Sequence, residues 1–231
     1  MNLYARPMAC SLASHITALE AGLPITLTYV DNVTQMTDDG QDFRLISPNA
    51  YVPALRLPSG KILNEGPSVL QWLADQKPEL ALAPAWGTDE RYQLIDTLNY
   101  LSTEVHKKIF GVLFSQTASD AAKAAAQAHL EPTLTYLALR LGNRGTLVGV
   151  QFTVADAYAV TLLNWFRYVG VDLAGWPTVQ AYHRRHLSRP AVAAAMAAEM
   201  AERIRTVLAY LDAANGVDDM DQPTFRLHAL K

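Results

Sequence analysis

The residue pattern of this 231-residue chain changes once, near residue 77. Before that point, short β-branched runs alternate with segments whose apolar residues recur every three or four positions, which predicts strands interleaved with helices. The predicted order is β-α-β-α-β-β-α. A crossover helix makes the first two strands parallel, and a Pro-Ser-Gly turn at residues 58–60 predicts an antiparallel hairpin.

The predicted strands of this first part cover residues 2–5, 26–30, 54–57 and 61–63, and the predicted helices cover residues 11–22, 43–46 and 67–74. Residues 78–88 contain two prolines and a glycine and are interpreted as a linker. We therefore predict a first domain over residues 1–77 and a boundary in the linker.

Beyond the linker the pattern is helical throughout. The predicted helices cover residues 89–113, 119–141, 153–169, 177–187 and the segment from residue 191 onward. Thr153 and Asp156 have the spacing of a helix N-cap and its partner acid. We predict an all-helical domain over residues 89–205 and a C-terminal extension over residues 206–231, in which the Asp-rich residues 215–222 are a solvated loop or disordered.

Composition and charge exclude several classes of protein. The net charge of −3 and the scattered Lys and Arg residues do not suit nucleic-acid binding. The apolar stretches are too short for a membrane span, and the N-terminus lacks a signal-peptide pattern, so we expect a cytoplasmic protein. The single cysteine excludes an internal disulfide and a Cys-rich zinc site, and we expect no metal.

That cysteine, Cys10, lies between the first predicted strand and the first predicted helix. Unpaired N–H groups and the helix dipole favour a thiolate there, so the pKa is expected to fall. The neighbouring Ser11 is a candidate hydrogen-bond donor to a thiolate. A lone cysteine is also commonly an inert buried residue, and with no second cysteine any disulfide needs an external thiol.

Three further motifs suit a small peptide-like ligand. If Pro53 were cis, the Val52 backbone would face outward to pair with an extended peptide, although an ordinary strand-leading proline is the simpler interpretation. At the helix start, the Gly66 backbone N–H could bind a carboxylate and the Glu65 side chain could bind an ammonium group. The same sequence is also typical of a helix start without a ligand. His106 lies on a polar stripe of the long helix.

Six blocks together resemble the bacterial beta-class glutathione S-transferases, in order and spacing, over residues 1 to about 200. They are residues 10–15 (CSLASH), 52–55 (VPAL), 64–66 (NEG), 98–100 (LNY), 103–107 (TEVHK) and 152–158 (FTVADAY). The resemblance implies a thioredoxin-like N-terminal domain and an all-α C-terminal domain. It also implies a homodimer with its site in the cleft between the domains, and a structural N-capping role for Thr153 and Asp156.

The resemblance also implies roles for individual residues. Cys10 would face the glutathione sulfur and form a mixed disulfide with it, and Val52, before a cis Pro53, would pair with the cysteinyl backbone. The remaining implied glutathione contacts are Glu65 and Gly66 at the γ-glutamyl group, His106 and Lys107 at the sulfur and glycyl end, Asn99 and Glu104 toward the partner subunit's site, and Gln35 where the family commonly has a lysine.

The function expected from these observations is transfer of glutathione to small hydrophobic electrophiles, a detoxification chemistry, with thiol exchange through Cys10. The catalytic candidates are Cys10, Ser11 and His106. The candidate acceptor-pocket residues are Met8, Phe110, Phe114, Trp165 and Tyr168. A non-catalytic ligand-binding or partner protein on the same fold is the main alternative, and a glutathione-dependent lyase or dehalogenase is the third.

Overall fold

Four short strands form a mixed sheet in the first part of the chain. The computed structural model describes residues 1–213, and its strands are β1 (Asn2–Ala5), β2 (Thr26–Tyr29), β3 (Ala54–Arg56) and β4 (Ile62–Leu63). The spatial order is β2-β1-β3-β4. Strand β1 is parallel to β2 and antiparallel to β3, with Leu3 opposite both Leu27 and Leu55. The predicted parallel pair and antiparallel hairpin are both present.

Three helices cover the sheet: α1 (Leu12–Glu20), α2 (Phe43–Ile46) and α3 (Gly66–Asp75). Because side chains alternate along a strand, the neighbours Leu3 and Tyr4 of β1 pack on opposite faces. Leu3 belongs to a core cluster with α1 and α3, whereas Tyr4 packs with Phe43 of α2. Both faces of the sheet are therefore covered, as in a thioredoxin-like domain.

The second part of the chain contains only helices and turns within residues 78–213. A 3₁₀ turn (Pro78–Leu80) leads to α4 (Asp89–Tyr100), which continues through a π-helical stretch (Leu101–Phe110) into α5 (Gly111–Leu113). The other elements are α6 (Asp120–Gln127), α7 (Leu130–Leu141), α8 (Val154–Leu163), 3₁₀ turns at Phe166–Val169 and Leu173–Gly175, α9 (Pro177–Leu187) and α10 (Pro190–Ala213).

Two predicted helices are interrupted. The prediction of one helix over residues 119–141 is wrong, because the chain breaks at Ala128 and His129 before α7. Pro132 cannot donate to the carbonyl four residues earlier, and its ring clashes with that carbonyl. The predicted helix over residues 153–169 also ends early, at Leu163, and the break lets both Trp165 and Phe166 pack against Phe110.

The two parts of the chain share a continuous apolar core. Helix α8 is buried along its whole length, and α1 packs against both α8 and α10. Leu12 and Ile16 of α1 lie in one cluster with Leu94 and Leu98 of α4. The two parts are therefore joined by packed side chains of α1, α4, α8 and α10.

Helix α10 is anchored to the first part by a buried acid. Glu199 is fully buried, and its carboxylate accepts a hydrogen bond from the Met8 amide at 2.7 Å and lies 3.0 Å from His15 Nδ1. The helix continues to Ala213, so residues 206–213 of the predicted extension are helical. The predicted loop at residues 215–222 lies outside the described residues. No helix in the described part of the chain combines the length and apolarity needed to cross a membrane.

Candidate active site

Cys10 is positioned by the loop that connects β1 to α1. Its side chain is half-buried, and its thiol donates a hydrogen bond to the Val52 carbonyl oxygen at 3.1 Å. The Val52–Pro53 peptide bond is cis, as the resemblance implies. The fold therefore brings the thiol directly against the backbone at which a peptide-like ligand is expected to pair.

The expected lowering of the Cys10 pKa is wrong. Burial raises the pKa of the Cys10 thiol to about 11 and outweighs the opposing effects of Lys107, the local backbone amides and Arg6. Desolvation disfavours the charged form of a thiol. At neutral pH, Cys10 is thus a protonated thiol and a hydrogen-bond donor.

The Ser11 hydroxyl is not free to donate to a thiolate. The side chain is 0% exposed, and its hydroxyl donates to the Arg6 carbonyl and accepts from the Arg6 amide, both at 3.1 Å. These two bonds fix the loop before α1, and the Ser11 backbone amide is one of the groups that lower the pKa of Cys10.

His106 lies in the π-helical stretch and contacts Tyr158 of α8. His106 Nδ1 lies 2.7 Å from the Tyr158 hydroxyl, and the Trp165 ring packs edge-on against the imidazole. Burial, with a smaller contribution from Lys107, lowers the pKa of His106 to about 4. Burial also raises the pKa of Tyr158, so the imidazole and the phenol are both neutral at physiological pH.

Two cavities meet beside Cys10. The first is a narrow crevice of about 30 Å³. It is lined by Cys10, Ala13, Ser14, Tyr51, Val52, Pro53, Glu65, Gly66, Pro67, Leu70, Ser102, His106, Lys107 and Tyr158. The second is a cleft of about 640 Å³ that shares Cys10, Tyr51, Val52, His106 and Lys107 with the crevice. A thiol held in the crevice would therefore face a ligand in the cleft.

Glu65 and Gly66 form one wall of the crevice. Glu65 has a φ of 62°, a left-handed value that is uncommon for a residue with a side chain and is often found at functional sites. The Ser68 amide at the same helix start is not free, because it donates to the Glu65 carbonyl at 3.0 Å. Since Pro67 has no N–H, the Gly66 amide is the donor that this helix start offers to a ligand.

The crevice residues that sequence analysis missed include Tyr51, Ser102 and Tyr158. Tyr51 precedes the Val52–Pro53 motif and is 61% exposed, and Lys107 Nζ lies 5.2 Å from the centre of its ring. Ser102 is four residues before His106 on the same helix face, which is a usable sequence signal. Tyr158 is the last residue of the resemblance block at residues 152–158.

Three predicted glutathione contacts do not line either of these two cavities. Gln35 accepts a hydrogen bond from Arg6 at 2.9 Å and donates to the Asn32 carbonyl at 2.9 Å, so both ends of its amide are engaged. Asn99 is exposed, and Glu104 pairs with Lys108 at 2.8 Å. The roles of Asn99 and Glu104 at the partner subunit's site remain predictions.

Most of the predicted acceptor residues line the large cleft: Met8, Phe114, Trp165 and Tyr168. Phe110 does not, because it is 0% exposed and packs behind Trp165 against Phe166. The end of α10 contributes four further lining residues that sequence analysis did not identify: Glu202, Arg203, Thr206 and Tyr210. Within residues 1–213 no group of three or more His, Cys, Asp or Glu side chains is arranged to hold a metal ion.

Comparison with known proteins gives consistent results. Residues 7–76 match the family domain "Glutathione S-transferase, N-terminal domain", and residues 120–185 match "Glutathione S-transferase, C-terminal domain". The chain is 39% identical over 199 residues to glutathione S-transferase GstA of Escherichia coli O157:H7, covering 86% of this chain and 98% of that protein.

Solved structures show the same similarity. BphK, a bacterial GST solved as a ternary complex, is 44% identical with a TM-score of 0.84, covering 86% of this chain and 99% of BphK. A sphingomonad glutathione S-transferase solved with glutathione is 43% identical with a TM-score of 0.83, covering 86% and 98%. In each of these comparisons about 14% of this chain lies outside the match.

Proposed function

Because the chain belongs to the glutathione S-transferase family, we propose that it binds glutathione at the crevice beside Cys10 and transfers the tripeptide's sulfur to small apolar electrophiles in the adjoining cleft. The observation that carries this proposal is that the crevice and the cleft share Cys10, Val52, His106 and Lys107. A thiol-bearing substrate and an electrophile can therefore meet at one point. The non-catalytic alternative has no such observation in its favour.

The proposed binding mode uses one group for each part of glutathione. The Val52 backbone, next to the cis peptide bond, pairs with the cysteinyl residue. The Gly66 amide receives the γ-glutamyl carboxylate and Glu65 the ammonium. Lys107 is the proposed partner of the glycyl carboxylate. Gln35, which stands where the family commonly has a lysine, is not available for this contact because Arg6 engages its side chain. Glutathione is the co-substrate, and no metal takes part in this proposal.

The proposed chemistry is nucleophilic substitution by the glutathione thiolate. A free thiol with a pKa of about 8.5 is mostly protonated at neutral pH, and lowering its pKa by one unit requires about 1.4 kcal/mol of differential stabilisation. His106 Nδ1 lies 2.7 Å from the Tyr158 hydroxyl. With the phenol as the donor in this pair, His106 carries its proton on Nε2, which donates to the thiolate in this proposal, and Lys107 adds positive charge. The sulfur then bonds to the electrophilic carbon, and the leaving group departs with its bonding electrons.

The decisive experiment measures glutathione transfer to 1-chloro-2,4-dinitrobenzene together with retention on immobilised glutathione. Lys107→Ala is expected to raise the KM for glutathione about tenfold, because one ion pair of about 1.4 kcal/mol is lost. Lys61→Ala is the control, since Lys61 is exposed next to the turn at residues 58–60 and lines neither cavity beside Cys10, and it should change the KM less than about twofold. Absence of both turnover and retention would support the non-catalytic alternative.

A second prediction concerns Tyr158 as a positioning residue. Tyr158→Phe should raise the pKa of bound glutathione by about one unit, because the His106 tautomer is no longer fixed. At neutral pH, kcat/KM should then fall about tenfold. Since the His106 pKa is about 4, the pH profile of either protein should show a single rising limb above pH 5, caused by thiol ionisation alone.

The measurement is the ultraviolet absorbance of the bound thiolate as a function of pH. Tyr182→Phe is the control, because it also removes a buried phenol hydroxyl, one that donates to Asp156 away from the cavities. It should lower stability without moving the thiol pKa. An unchanged thiol pKa in Tyr158→Phe would rule out the positioning role.

We also propose that the chain acts as a cytoplasmic homodimer, with a role in detoxification. The support is the family resemblance, in which Asn99 and Glu104 reach the partner subunit's site. Both residues lie outside the two cavities beside Cys10 of their own subunit. Sedimentation of the purified protein as a monomer would overturn the dimer.

A further inference from the structure

The last turns of α10 form a wall of the acceptor cleft. Four residues at helical spacing, Glu199, Arg203, Thr206 and Tyr210, share one face of α10. Glu199 is held at the Met8 amide, and the other three line the cleft. This face therefore extends the site with residues beyond about position 200.

The far end of this wall is fixed to the opposite side of the cleft. The Tyr210 hydroxyl donates to Asp31 Oδ2 at 2.8 Å. Asp31 Oδ1 accepts hydrogen bonds from the Val33 and Thr34 amides at 2.9 and 2.7 Å, and these bonds orient the carboxylate. Because Glu199 and Tyr210 both bind residues of the first part of the chain, the intervening turn that carries Arg203 is held between two fixed points.

Arg203 is a half-buried cation with no ion-pair partner within residues 1–213. Its guanidinium carbon lies 5.9 Å from the centre of the ring of Tyr168, which lines the cleft and also contacts Arg167. The other two cations of the cleft are committed elsewhere. Arg6 donates to Gln35, and Lys107 lies beside Tyr51 at the crevice.

None of the three acidic residues that line the cleft forms an ion pair with Arg203 among the described residues. Asp31 is engaged by Tyr210 and by backbone amides, and Glu202 forms an ion pair with Arg205. Asp38 is solvent-exposed. A half-buried guanidinium beside an aromatic side chain is a suitable partner for a planar carboxylate on an aromatic ligand.

We propose that this wall selects aromatic electrophiles that carry an anionic substituent, with Arg203 pairing with that anion. The proposal rests on the transfer activity proposed above and adds its acceptor class. In 4-chloro-3-nitrobenzoate, the glutathione sulfur would bond to the carbon that bears chlorine, and chloride would leave with the bonding pair. The carboxylate is unchanged in the reaction and serves only to hold the ring.

The test compares this acid with its neutral methyl ester in four proteins: the unaltered chain, Arg203→Gln, Arg203→Lys and Arg184→Gln. Arg203→Gln should lower kcat/KM for the acid about tenfold and for the ester less than about twofold. Arg203→Lys, which keeps the charge, should restore part of the preference for the acid. Arg184→Gln makes the same charge change at an exposed position outside the cleft and should leave both values within about twofold.

Equal losses for acid and ester, or no loss for either, would overturn the proposal. A calorimetric titration with the acid separates this proposal from the transfer activity itself. If neither acceptor is turned over, the transfer proposal fails, but about tenfold weaker binding of the acid to Arg203→Gln would still support the anion site. Unchanged binding would refute it.

Discussion

Replacing Cys10 with alanine is expected to lower thiol–disulfide exchange at least about 100-fold while conjugation stays within about tenfold of the unaltered protein. Exchange needs a protein sulfur that attacks an external disulfide, forms a mixed disulfide and expels a thiolate, and the chain has a single cysteine. Conjugation instead uses the sulfur of glutathione. Assays of both reactions on the same preparation measure the two effects.

The Cys10 thiol also donates to the Val52 carbonyl, so a second variant is needed to separate its two roles. Cys10→Ser keeps a hydroxyl donor but cannot exchange. If the donor matters for conjugation, Cys10→Ser should retain more conjugation than Cys10→Ala, with exchange absent in both. A collapse of conjugation as deep as that of exchange in both variants would contradict the assignment of conjugation to the glutathione sulfur.

The pH dependence of exchange follows from the burial of Cys10. Because burial raises the pKa of this thiol to about 11, the thiolate fraction rises about tenfold per pH unit up to that value. The exchange rate of the unaltered protein should therefore still be rising at pH 9. A plateau near neutral pH would mean that bound glutathione lowers the pKa of Cys10.

Much of the fold could be predicted from sequence because its signals are local. Apolar periodicity and the turn at residues 58–60 indicate the strands and helices of the first part, and the crossover helix requires the parallel pair that is found. The break before α7 was also visible in the sequence, since Pro132 is incompatible with an uninterrupted helix. The family resemblance is confirmed by the relatives and both matched domains.

The site was less predictable because its chemistry depends on distances between remote residues. Ser11 is adjacent to Cys10 in sequence, but the folded loop turns its hydroxyl onto the Arg6 backbone. The Cys10 pKa depends on the balance of burial against charge, which a sequence does not provide. Tyr158 is 52 positions from His106, and Tyr210 is 179 positions from Asp31.

Asp156 is the buried group whose removal should cost the most stability. Its carboxylate accepts four hydrogen bonds, from the Thr153 amide and hydroxyl, the Leu147 amide and the Tyr182 hydroxyl, at 2.8–3.0 Å. One side chain thereby joins the start of α8, the preceding loop and α9. Burial raises the pKa of this carboxyl, and its hydrogen-bond donors oppose that shift.

Asp156→Ala is expected to lower the free energy of unfolding by about 4 kcal/mol, because it leaves buried amides unsatisfied and opens a cavity. Ser119→Ala is the matched control: it removes an exposed helix cap with a single hydrogen bond to the Ala122 amide, and it should cost about 1 kcal/mol. Urea unfolding of both variants measures the difference. If Asp156→Ala does not fold, Tyr182→Phe replaces it, with an expected loss of about 1–2 kcal/mol in the free energy of unfolding. Equal losses of unfolding free energy in Asp156→Ala and Ser119→Ala would show that the buried hydrogen bonds of Asp156 do not stabilise the helical part more than an exposed cap does.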